Sequence, residues 1–353
     1  MRFFVSVDNL SVRFEAAKPV HAVNGVSFDL AEGEVLGLLG ESGSGKSVTL
    51  RALMRLHPDK VTRYGGAIRV DGQDVLGMAP TALDSFRGKT CAMVFQDPIL
   101  AFDPVYSLGR QISETIRRHE AVDQATARAR AVELLERVQV PSARRRYDAY
   151  PHEVSGGMRQ RAMIALALAC RPRLLLADEP TTALDATVQI QVLLLLRELQ
   201  KEMGMSVIFV THDIGVAAEI SDRLAVMYGG RIIEQGPLAE VMREPSHPYT
   251  QGLLASTVTA GMRGRRLEAI PGMPPDLTAL PPGCAFAPRC GLAVDACRAA
   301  APLPVSAGGR QVACVRAAFP GTTKIPRPAR DDTAHADHQT SLISLPVPEG
   351  PRC

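Results

Sequence analysis

Gly40-Glu41-Ser42-Gly43-Ser44-Gly45-Lys46-Ser47 is the stretch of the sequence that decides the fold. It fits the G-x-x-x-x-G-K-[ST] pattern of a phosphate-binding loop, and it follows the apolar run 35–39, which predicts a buried strand. Glycines let backbone N–H groups approach phosphate oxygens, and the amino end of the following helix favours anions. We expect the whole loop to bind nucleotide phosphates, with Lys46 reaching the β- and γ-phosphates and the Ser47 hydroxyl binding Mg²⁺.

A second nucleotide signal is the run Leu174-Leu175-Leu176-Ala177-Asp178-Glu179. A buried strand that ends in two bare carboxylates is costly unless those carboxylates serve an ion or a reaction. Asp178 is predicted to hold the Mg²⁺, and Glu179 to polarise the water that attacks the γ-phosphate. The sequence therefore predicts a site for ATP and Mg²⁺ in which Glu179 is catalytic.

The arrangement of the other apolar runs predicts an α/β fold. Residues 1 to about 250 alternate short β-branched or leucine-rich runs with helical stretches. Further strand candidates are residues 91–95, 173–178 and 206–211, and each ends at a polar residue, as expected where ligands bind at the carboxyl ends of strands. The stretch from about 100 to 170 is predicted to be mostly helical, and residues 125–140 have the pattern of an amphipathic helix.

Composition and charge argue against some classes of protein. The chain has 353 residues, of which 46% are hydrophobic and 22% charged, so it is long enough for one large domain and a smaller one. A net charge of +3 does not argue for nucleic acid, and the arginines at 144–146 are expected on the solvated surface. No apolar run reaches the roughly 18 residues that span a bilayer, and the amino terminus lacks the long apolar core of a signal peptide. We therefore expect a cytosolic chain that meets the membrane through a partner.

A third motif separates this chain from other phosphate-loop proteins. Ser155-Gly156-Gly157-Met158-Arg159-Gln160 resembles the signature motif of the ABC ATPases, with Val154 where leucine is usual and Met158 where glutamine is common. Ser155 can cap a helix, and the two glycines allow the backbone to approach a phosphate. In that family the motif completes the ATP site of the opposing subunit. The resemblance therefore implies a head-to-tail pair of ATPase subunits, with Ser155, Gly156, Gly157 and Gln160 at the nucleotide.

Three further positions match the same family. Gln96, after the strand candidate at 91–95, resembles the glutamine that senses Mg²⁺ and contacts the membrane subunit. Ala183-Leu184-Asp185 resembles the loop that crosses the dimer interface, which implies that Asp185 lies near the nucleotide. His212 resembles the switch histidine that contacts the γ-phosphate, and it is the second predicted catalytic residue.

The adenine contact and the domain organisation follow from the same resemblance. Phe14 is predicted to stack on adenine, with Phe28 and Phe3 as alternatives. The implied fold of residues 1–250 is that of a P-loop NTPase of the ABC ATPase type. It has a RecA-like core, an antiparallel β subdomain, and a helical signature subdomain at about 100–170. A small cysteine-rich extension at 251–320 and a disordered tail at 321–353 complete the predicted organisation.

Finer resemblances point to the importers of dipeptides and oligopeptides. They comprise Phe95-Gln96-Asp97-Pro98, Asp103-Pro104-Val105-Tyr106, the run 150–161 and His247-Pro248-Tyr249-Thr250. Nickel and some oligosaccharide importers share parts of this pattern, so both stay open as solutes. The implied partners are a second ATPase subunit, expected to be a different homologous chain, two transmembrane permeases and an extracytoplasmic solute-binding protein. The chain would then lie peripherally at the cytoplasmic face of the bacterial inner membrane, with no nucleic acid bound.

Two other classes of protein share the nucleotide motifs. ABC ATPases of DNA repair usually insert very long coiled coils between those motifs, and those of translation usually carry two cassettes. This chain has a short helical insert and one cassette. A regulatory subunit that only binds nucleotide would be expected to have a damaged Glu179 or His212, and both are present. The sequence therefore favours a transporter ATPase.

The extension contains four cysteines, Cys284, Cys290, Cys297 and Cys314. Members of the peptide branch carry a four-cysteine element here, and in some of them it is implied to hold a [4Fe–4S] cluster. Four thiolates also suit structural Zn²⁺, and the spacings match neither zinc ribbons nor bacterial ferredoxins, so cluster, zinc and free thiols stay open. Cys91 and Cys170 fall in predicted core elements and are expected to be small hydrophobic groups.

Overall fold

The described residues, 3–182, 184–256 and 269–317 of the computed structural model, form two β-sheets and the helices that pack against them. The strands are β1 (Val5–Phe14), β2 (Val20–Leu30), β3 (Val35–Leu39), β4 (Thr62–Val70), β5 (Gln73–Asp74), β6 (Cys91–Val94), β7 (Leu174–Asp178), β8 (Ser206–Thr211), β9 (Arg223–Tyr228), β10 (Arg231–Pro237), β11 (Val305–Ala307) and β12 (Arg310–Val312). The helices are α1 (Lys46–Ala52), α2 (Pro80–Lys89), α3 (Leu108–His119), α4 (Gln124–Arg137), α5 (Ala143–Arg146), α6 (Gly156–Ala167), α7 (Ala186–Met203), α8 (Ile214–Ile220), α9 (Leu238–Arg243), α10 (Pro248–Ala255) and α11 (Asp295–Ala299). Short 3-10 turns lie at Pro151–Glu153 and Ala287–Arg289.

The larger sheet brings the polar ends of four strands to one edge. Its order is β11-β12-β10-β9-β3-β8-β7-β6, and the strands from β9 to β6 run parallel. The strand that precedes the glycine-rich loop, β3, pairs with β8 on one side and β9 on the other. The carboxyl ends of β3, β6, β7 and β8 therefore meet at one edge, where ligands bind in such sheets. The strand predictions at 35–39 and 206–211 are confirmed, and those at 91–95 and 173–178 are each one residue too long.

The parallel strands are buried on both faces, which explains their continuous apolar sequence. Successive residues of β7 alternate between two cores: Leu174 and Leu176 pack in one, and Leu175 and Ala177 pack in the other. The first core joins the parallel sheet to α1 and to the antiparallel sheet, whose order is β2-β1-β4-β5. The second core lies between the sheet and α3, α4, α6 and α7. The antiparallel and helical subdomains thus cover opposite faces of the parallel sheet.

The predicted helical stretch contains α3, α4, α5 and α6. Helix α4 begins after Asp123, whose carboxylate accepts an N–H of the first turn, and it ends at Arg137 rather than at the predicted residue 140. Its buried face consists of Ala127, Ala131 and Leu135, the spacing of an amphipathic helix. Within the described ranges, no helix combines the length and the hydropathy that crossing a bilayer requires.

The extension continues the large sheet past β10 with a hairpin that the sequence does not predict. β12 pairs antiparallel with β10, and β11 pairs with β12. Glu234 of β10 is fully buried and accepts a hydrogen bond from Arg310 of β12 at 2.8 Å. Residues up to Ala317 form one compact unit, so this buried ion pair lies inside it. The predictions for Ala183 and for the tail at 321–353 fall outside the described residues.

Candidate nucleotide site

The glycine-rich loop joins the end of β3 to the start of α1. Gly45 has φ +101°, and a Cβ there would lie 2.5 Å from the Ala22 carbonyl oxygen of β2, so only glycine fits. Gly43 has φ +79°, but a Cβ there would meet nothing within 4 Å. The loop backbone is therefore held against β2 at Gly45 and is open at Gly43, where a phosphate can approach it.

Lys46 is buried within the loop, with 4% of its surface exposed. Its Nζ donates to the carbonyl oxygens of Gly40 and Glu41, at 2.7 and 2.9 Å. Burial lowers the pKa of this ammonium, and both of its hydrogen-bond partners are neutral. Ser44 adds a buried hydroxyl without a hydrogen-bond partner in the described part of the chain. A phosphate that entered the loop would give both groups an anionic partner.

Asp178 and Ser47 lie together where β7 ends and α1 begins. Ser47 Oγ donates to Asp178 Oδ1 at 2.6 Å. Burial raises the pKa of the Asp178 carboxyl, and this effect is opposed by the Ser47 hydrogen bond and by Arg51, 3.8 Å from the other carboxylate oxygen. A hydroxyl and a carboxylate are ligands that Mg²⁺ takes beside nucleotide phosphates, so these residues fit the predicted ion. Arg51 is a member of the site that sequence reasoning missed.

Three side chains converge on Glu179 Oε2. His212 Nδ1 lies 3.0 Å from it, Gln96 Nε2 lies 3.5 Å from it, and Thr182 Oγ1 donates to it at 3.0 Å. Glu179 also has φ +46°, a conformation that costs a non-glycine residue about 1–3 kcal/mol and clusters at functional sites. The carboxylate is thus held in one orientation at the sheet edge. Sequence reasoning missed Thr182, which its position three residues after Glu179 could have indicated.

The signature residues lie at the start of α6. Ser155 caps this helix by accepting the Met158 N–H at 3.3 Å, and Ser155 and Gly156 are both exposed. Asp185 caps α7 in the same way by accepting two N–H groups of its first turn. Two helix amino ends therefore present exposed, capped surfaces, and a phosphate could approach Gly156 because a Cβ there would meet nothing within 4 Å.

Gln160 does not reach that surface. Its side chain is 1% exposed, and its Nε2 has no hydrogen-bond partner among the described residues. Residues 161–165 that follow it in α6 are buried as well, so this turn of the helix is enclosed on all sides. The side chain of Gln160 therefore lies in the interior of the helical subdomain, and its contact with a nucleotide stays a prediction.

Known proteins resemble this chain over most of its length. The family model described as ABC transporter matches residues 23–182, and the one described as Oligopeptide/dipeptide transporter, C-terminal region, matches residues 233–297. A protein of Brucella abortus, named as a peptide import ATP-binding protein, is 49% identical over 88% of this chain and 94% of its own length. The chain belongs to the ABC transporter family. A second peptide import ATP-binding protein, from Brucella melitensis, is 52% identical over 81% of this chain and 88% of its own length.

Solved ABC cassettes have the same fold. The ATP-binding cassette MJ0796, in a dimeric post-hydrolysis state with ADP and Pi, superposes with a TM-score of 0.60 at 28% identity, covering 66% of this chain and 98% of that one. The protein cbiO1 from Clostridium perfringens, part of the ABC transporter complex cbiONQ, gives 0.59 at 28% identity over 69% of this chain and 92% of that one. The ABC ATPase fold predicted from the motifs is confirmed, and the chain is an ATPase that uses ATP and Mg²⁺.

Phe14, the candidate adenine contact of this ABC ATPase, is the last residue of β1. Its ring packs edge-on against His57 with 5.1 Å between centroids, and His57 Nε2 lies 3.0 Å from the Val48 carbonyl of α1. Phe14 thus borders the helix that follows the phosphate loop. Of the two alternatives, Phe28 is only 3% exposed, so its ring cannot stack on a nucleotide, and Phe3 precedes the opposite end of β1. The geometry favours Phe14, whose role stays a prediction.

The four cysteines of the extension line one cavity of ≈ 20 Å³. Cys284 N–H donates to the Cys297 carbonyl at 2.7 Å, which joins two of the cysteine-bearing segments. Burial raises the pKa of the thiols of Cys284, Cys290 and Cys314, that of Cys314 to about 11. A void of this size accommodates about one water molecule.

The geometry of this cavity gives no support for a metal ion or cluster. In the part of the chain that the structure describes, no group of three or more His, Cys, Asp or Glu side chains is arranged to hold a metal ion. The predicted [4Fe–4S] or Zn²⁺ site in the extension is therefore not supported. Outside the extension, Cys91 is completely buried as expected, and Cys170 packs partly buried against the core.

Proposed function

We propose that this ABC ATPase drives the uptake of dipeptides or oligopeptides through membrane permeases that bind it. The observation that carries the proposal is the convergence of Ser47, Asp178, Glu179 and His212 at the sheet edge beside the glycine-rich loop. The peptide import relatives and the match to the oligopeptide/dipeptide transporter C-terminal region support the solute class.

Binding of ATP follows from the chemistry of the loop. Lys46 would exchange its two carbonyl partners for β- and γ-phosphate oxygens, because a charge-assisted hydrogen bond is the stronger one. Ser47, Asp178 and Gln96 would hold Mg²⁺, which neutralises charge on the phosphates when bound. The open backbone at Gly43 would add N–H donors to the same phosphates.

Glu179 is the proposed general base for hydrolysis. The hydrogen bonds described for its carboxylate all reach Oε2, which leaves Oε1 for a proton of the attacking water. Thr182 and His212 restrict the rotation of the carboxylate, so the reacting oxygen is held in place before the water is activated. His212 would also stabilise charge on the γ-phosphate, as the family resemblance implies.

The exposed starts of α6 and α7 suit a second ATPase subunit. Ser155, Gly156 and Gly157 would complete the nucleotide site of that partner, and Asp185 would lie at the same interface. The solved dimer of MJ0796, a cassette 28% identical to this one, supports pairing. We expect the partner to be a different homologous chain, and we expect a solute-binding protein on the extracytoplasmic side of the complex.

A groove lined in part by Phe95, the residue before Gln96, suits the permease contact. It has a volume of ≈ 300 Å³ and is lined by residues of the sheet and of α3 and α6, and by Leu56 and Phe95. Those two side chains are each 37% exposed, and the nearby Ile99 and Leu100 are 60% and 83% exposed. Exposed apolar side chains of this kind mark protein interaction sites. A cytoplasmic helix of a permease docked here would place the chain peripherally at the cytoplasmic face of the membrane.

The test is reconstitution of the complex in liposomes, with the chain, its partner ATPase, the permeases and the solute-binding protein. Addition of dipeptides or oligopeptides outside is expected to stimulate ATP hydrolysis and to load peptide into the lumen. Stimulation by nickel or an oligosaccharide instead of peptide would refute the solute class. Hydrolysis that is insensitive to the permeases would refute the transporter and favour a soluble ABC ATPase.

A further inference from the structure

Arg289 of the extension reaches the phosphate loop of the nucleotide site. Its guanidinium makes a bidentate ion pair with the Glu41 carboxylate, with Nη1 2.6 Å from Oε2 and Nη2 3.1 Å from Oε1. The side chain of Arg289 is 6% exposed, and that of Glu41 is 26% exposed. Because Glu41 is the second residue of the loop, the extension contacts the nucleotide-binding element directly.

The N–H groups of the Arg289 guanidinium are fully used. Nη1 also donates to Tyr228 Oη at 3.2 Å, Nη2 to the Ile270 carbonyl at 3.3 Å, and Nε to the Pro271 carbonyl at 2.8 Å. Five donors in a rigid fork are thereby satisfied, so the guanidinium has one defined position. The hydrogen bonds to Glu41 raise the pKa of Arg289, which therefore stays charged.

Glu41 is fixed through its backbone as well. Its N–H donates to Tyr249 Oη at 2.8 Å, and its carbonyl accepts from Lys46 Nζ at 2.9 Å. Tyr249 is completely buried and packs on Tyr228 with 4.6 Å between ring centroids. The Glu41 N–H is therefore occupied and does not face a phosphate. Glu41 thus contributes a carbonyl that holds Lys46 before a phosphate enters the loop, and a negative charge on its side chain.

A carboxylate in an anion-binding loop opposes nucleotide binding, because it repels the phosphates. Solvent screens the Glu41 carboxylate only in part, since most of its side chain is covered. The positive charge of the Arg289 guanidinium, at hydrogen-bond distance from Glu41, neutralises this carboxylate. Among the described contacts of Glu41, this ion pair alone opposes its side-chain charge directly.

We propose that Arg289 is a positioning residue for ATP binding, which neutralises the Glu41 carboxylate and holds the phosphate loop at that residue. The extension then tunes the affinity of the loop for nucleotide without touching the reacting atoms. The proposal rests on nucleotide binding by this ATPase and not on the solute, so its success or failure is independent of peptide uptake.

The experiment is equilibrium binding of a fluorescent ATP analogue, with Mg²⁺, to the purified full chain. The variants are Arg289→Gln, Glu41→Gln, the double variant and Arg289→Lys. Arg298→Gln is the matched control, because Arg298 is an exposed arginine of the same extension that pairs with Asp295. Urea midpoints are measured in parallel, and the ATPase rate of each variant is measured from low to saturating ATP.

Arg289→Gln is expected to weaken binding about tenfold, within the range for coupled neighbouring residues, and to raise KM while kcat stays within about twofold. Adding Glu41→Gln should restore most of that affinity, because the uncompensated carboxylate is gone. Arg289→Lys should bind better than Arg289→Gln, Arg298→Gln should match the native chain, and added salt should reduce the defect.

Unchanged affinity in a folded Arg289→Gln variant would overturn the proposal. So would a defect of equal size in the double variant, because that result would assign Arg289 a purely structural role. If Arg289→Gln does not fold, the comparison of Arg289→Lys with Arg289→Lys/Glu41→Gln decides. If Arg289→Lys binds ATP more weakly than the native chain and the added Glu41→Gln does not restore the affinity, the charge argument is likewise refuted.

Discussion

Replacing Gly45 by alanine should destabilise the protein far more than replacing Gly43, although both glycines belong to the same loop. At Gly45 the backbone has φ +101°, and the new Cβ would lie 2.5 Å from the Ala22 carbonyl oxygen and 3.4 Å from Gly230 Cα. At Gly43 the backbone has φ +79°, and the new Cβ would lie in open space. Comparison of the two alanine variants therefore separates the cost of backbone strain from the cost of steric conflict with β2 and the turn at Gly230.

The magnitudes follow from these two terms. A non-glycine residue in the left-handed region costs about 1–2 kcal/mol, and the lower entropy of the unfolded alanine variant returns about 0.4–1 kcal/mol. Gly43→Ala should therefore lower the free energy of unfolding by about 1 kcal/mol. The conflict at Gly45 adds about 1–3 kcal/mol, because β2 and the turn at Gly230 must shift. Gly45→Ala should thus cost about 3 kcal/mol.

The assay is urea unfolding of the nucleotide-free protein, followed by circular dichroism because the chain has no tryptophan. The two alanine variants and the native chain are compared at one pH and one salt concentration. Equal destabilisation by the two substitutions would refute the conclusion that the loop is pressed against β2 at Gly45. A larger cost at Gly43 would refute it as well.

Three further predictions test other parts of the structure. His247 is completely buried, and burial lowers its pKa to about 3. The neutral imidazole contributes its full stability above the unfolded pKa of about 6.5. That stability is lost as the pH falls toward 3, because the unfolded chain then binds a proton that the folded chain does not. Between pH 7 and pH 5 this proton should lower the free energy of unfolding of the native chain by about 2 kcal/mol, and His247→Gln should lack this loss. Equal pH dependence of the two proteins would contradict the burial of His247. Arg310→Met leaves the buried carboxylate of Glu234 without its charged partner, with only the N–H groups of Ser246 and His247 as donors. Urea unfolding should therefore show a loss of about 3 kcal/mol, against at most about 1 kcal/mol for the exposed Arg13→Met. Similar losses in the two variants would contradict the burial of this ion pair. Phe14→Ala should weaken binding of a fluorescent ATP analogue about tenfold, because stacking of a base on an aromatic ring contributes about 1–3 kcal/mol. Unchanged affinity would contradict the assignment of Phe14 as the adenine contact.

Much of the nucleotide site could be predicted from the sequence because its elements are local. The strand at β3, the loop glycines and Lys46 are consecutive, and their spacing reflects the geometry of one turn. The carboxylates at the end of β7 and the imidazole after β8 follow from a general rule, that parallel strands meet at their carboxyl ends. The element pattern was also predictable, because the parallel strands β3, β6, β7 and β8 are mainly apolar and α4 has a four-residue repeat of buried side chains.

The remaining features depend on contacts between distant segments. Arg289 and Glu41 are 248 residues apart, and no local pattern indicates that an arginine beside a cysteine would reach the phosphate loop. The signature motif is exposed at Ser155 and Gly156, but Gln160 lies one helical turn further along α6, where its side chain is buried in the core. The cysteines do converge on one cavity, yet their spacing in the sequence does not determine whether the thiols reach the distances that a metal requires.

The measurement that tests the central claim most directly is the ATPase rate of Glu179→Gln under single-turnover conditions. Glutamine preserves the size of the side chain but cannot take a proton, so the variant should bind ATP as tightly as the native chain and hydrolyse it about 10²–10⁴ times more slowly. Glu219→Gln, on the exposed face of α8, is the control and should hydrolyse ATP at the native rate. Near-native turnover by Glu179→Gln, with ATP binding intact, would contradict the assignment of Glu179 as the general base of this ATPase.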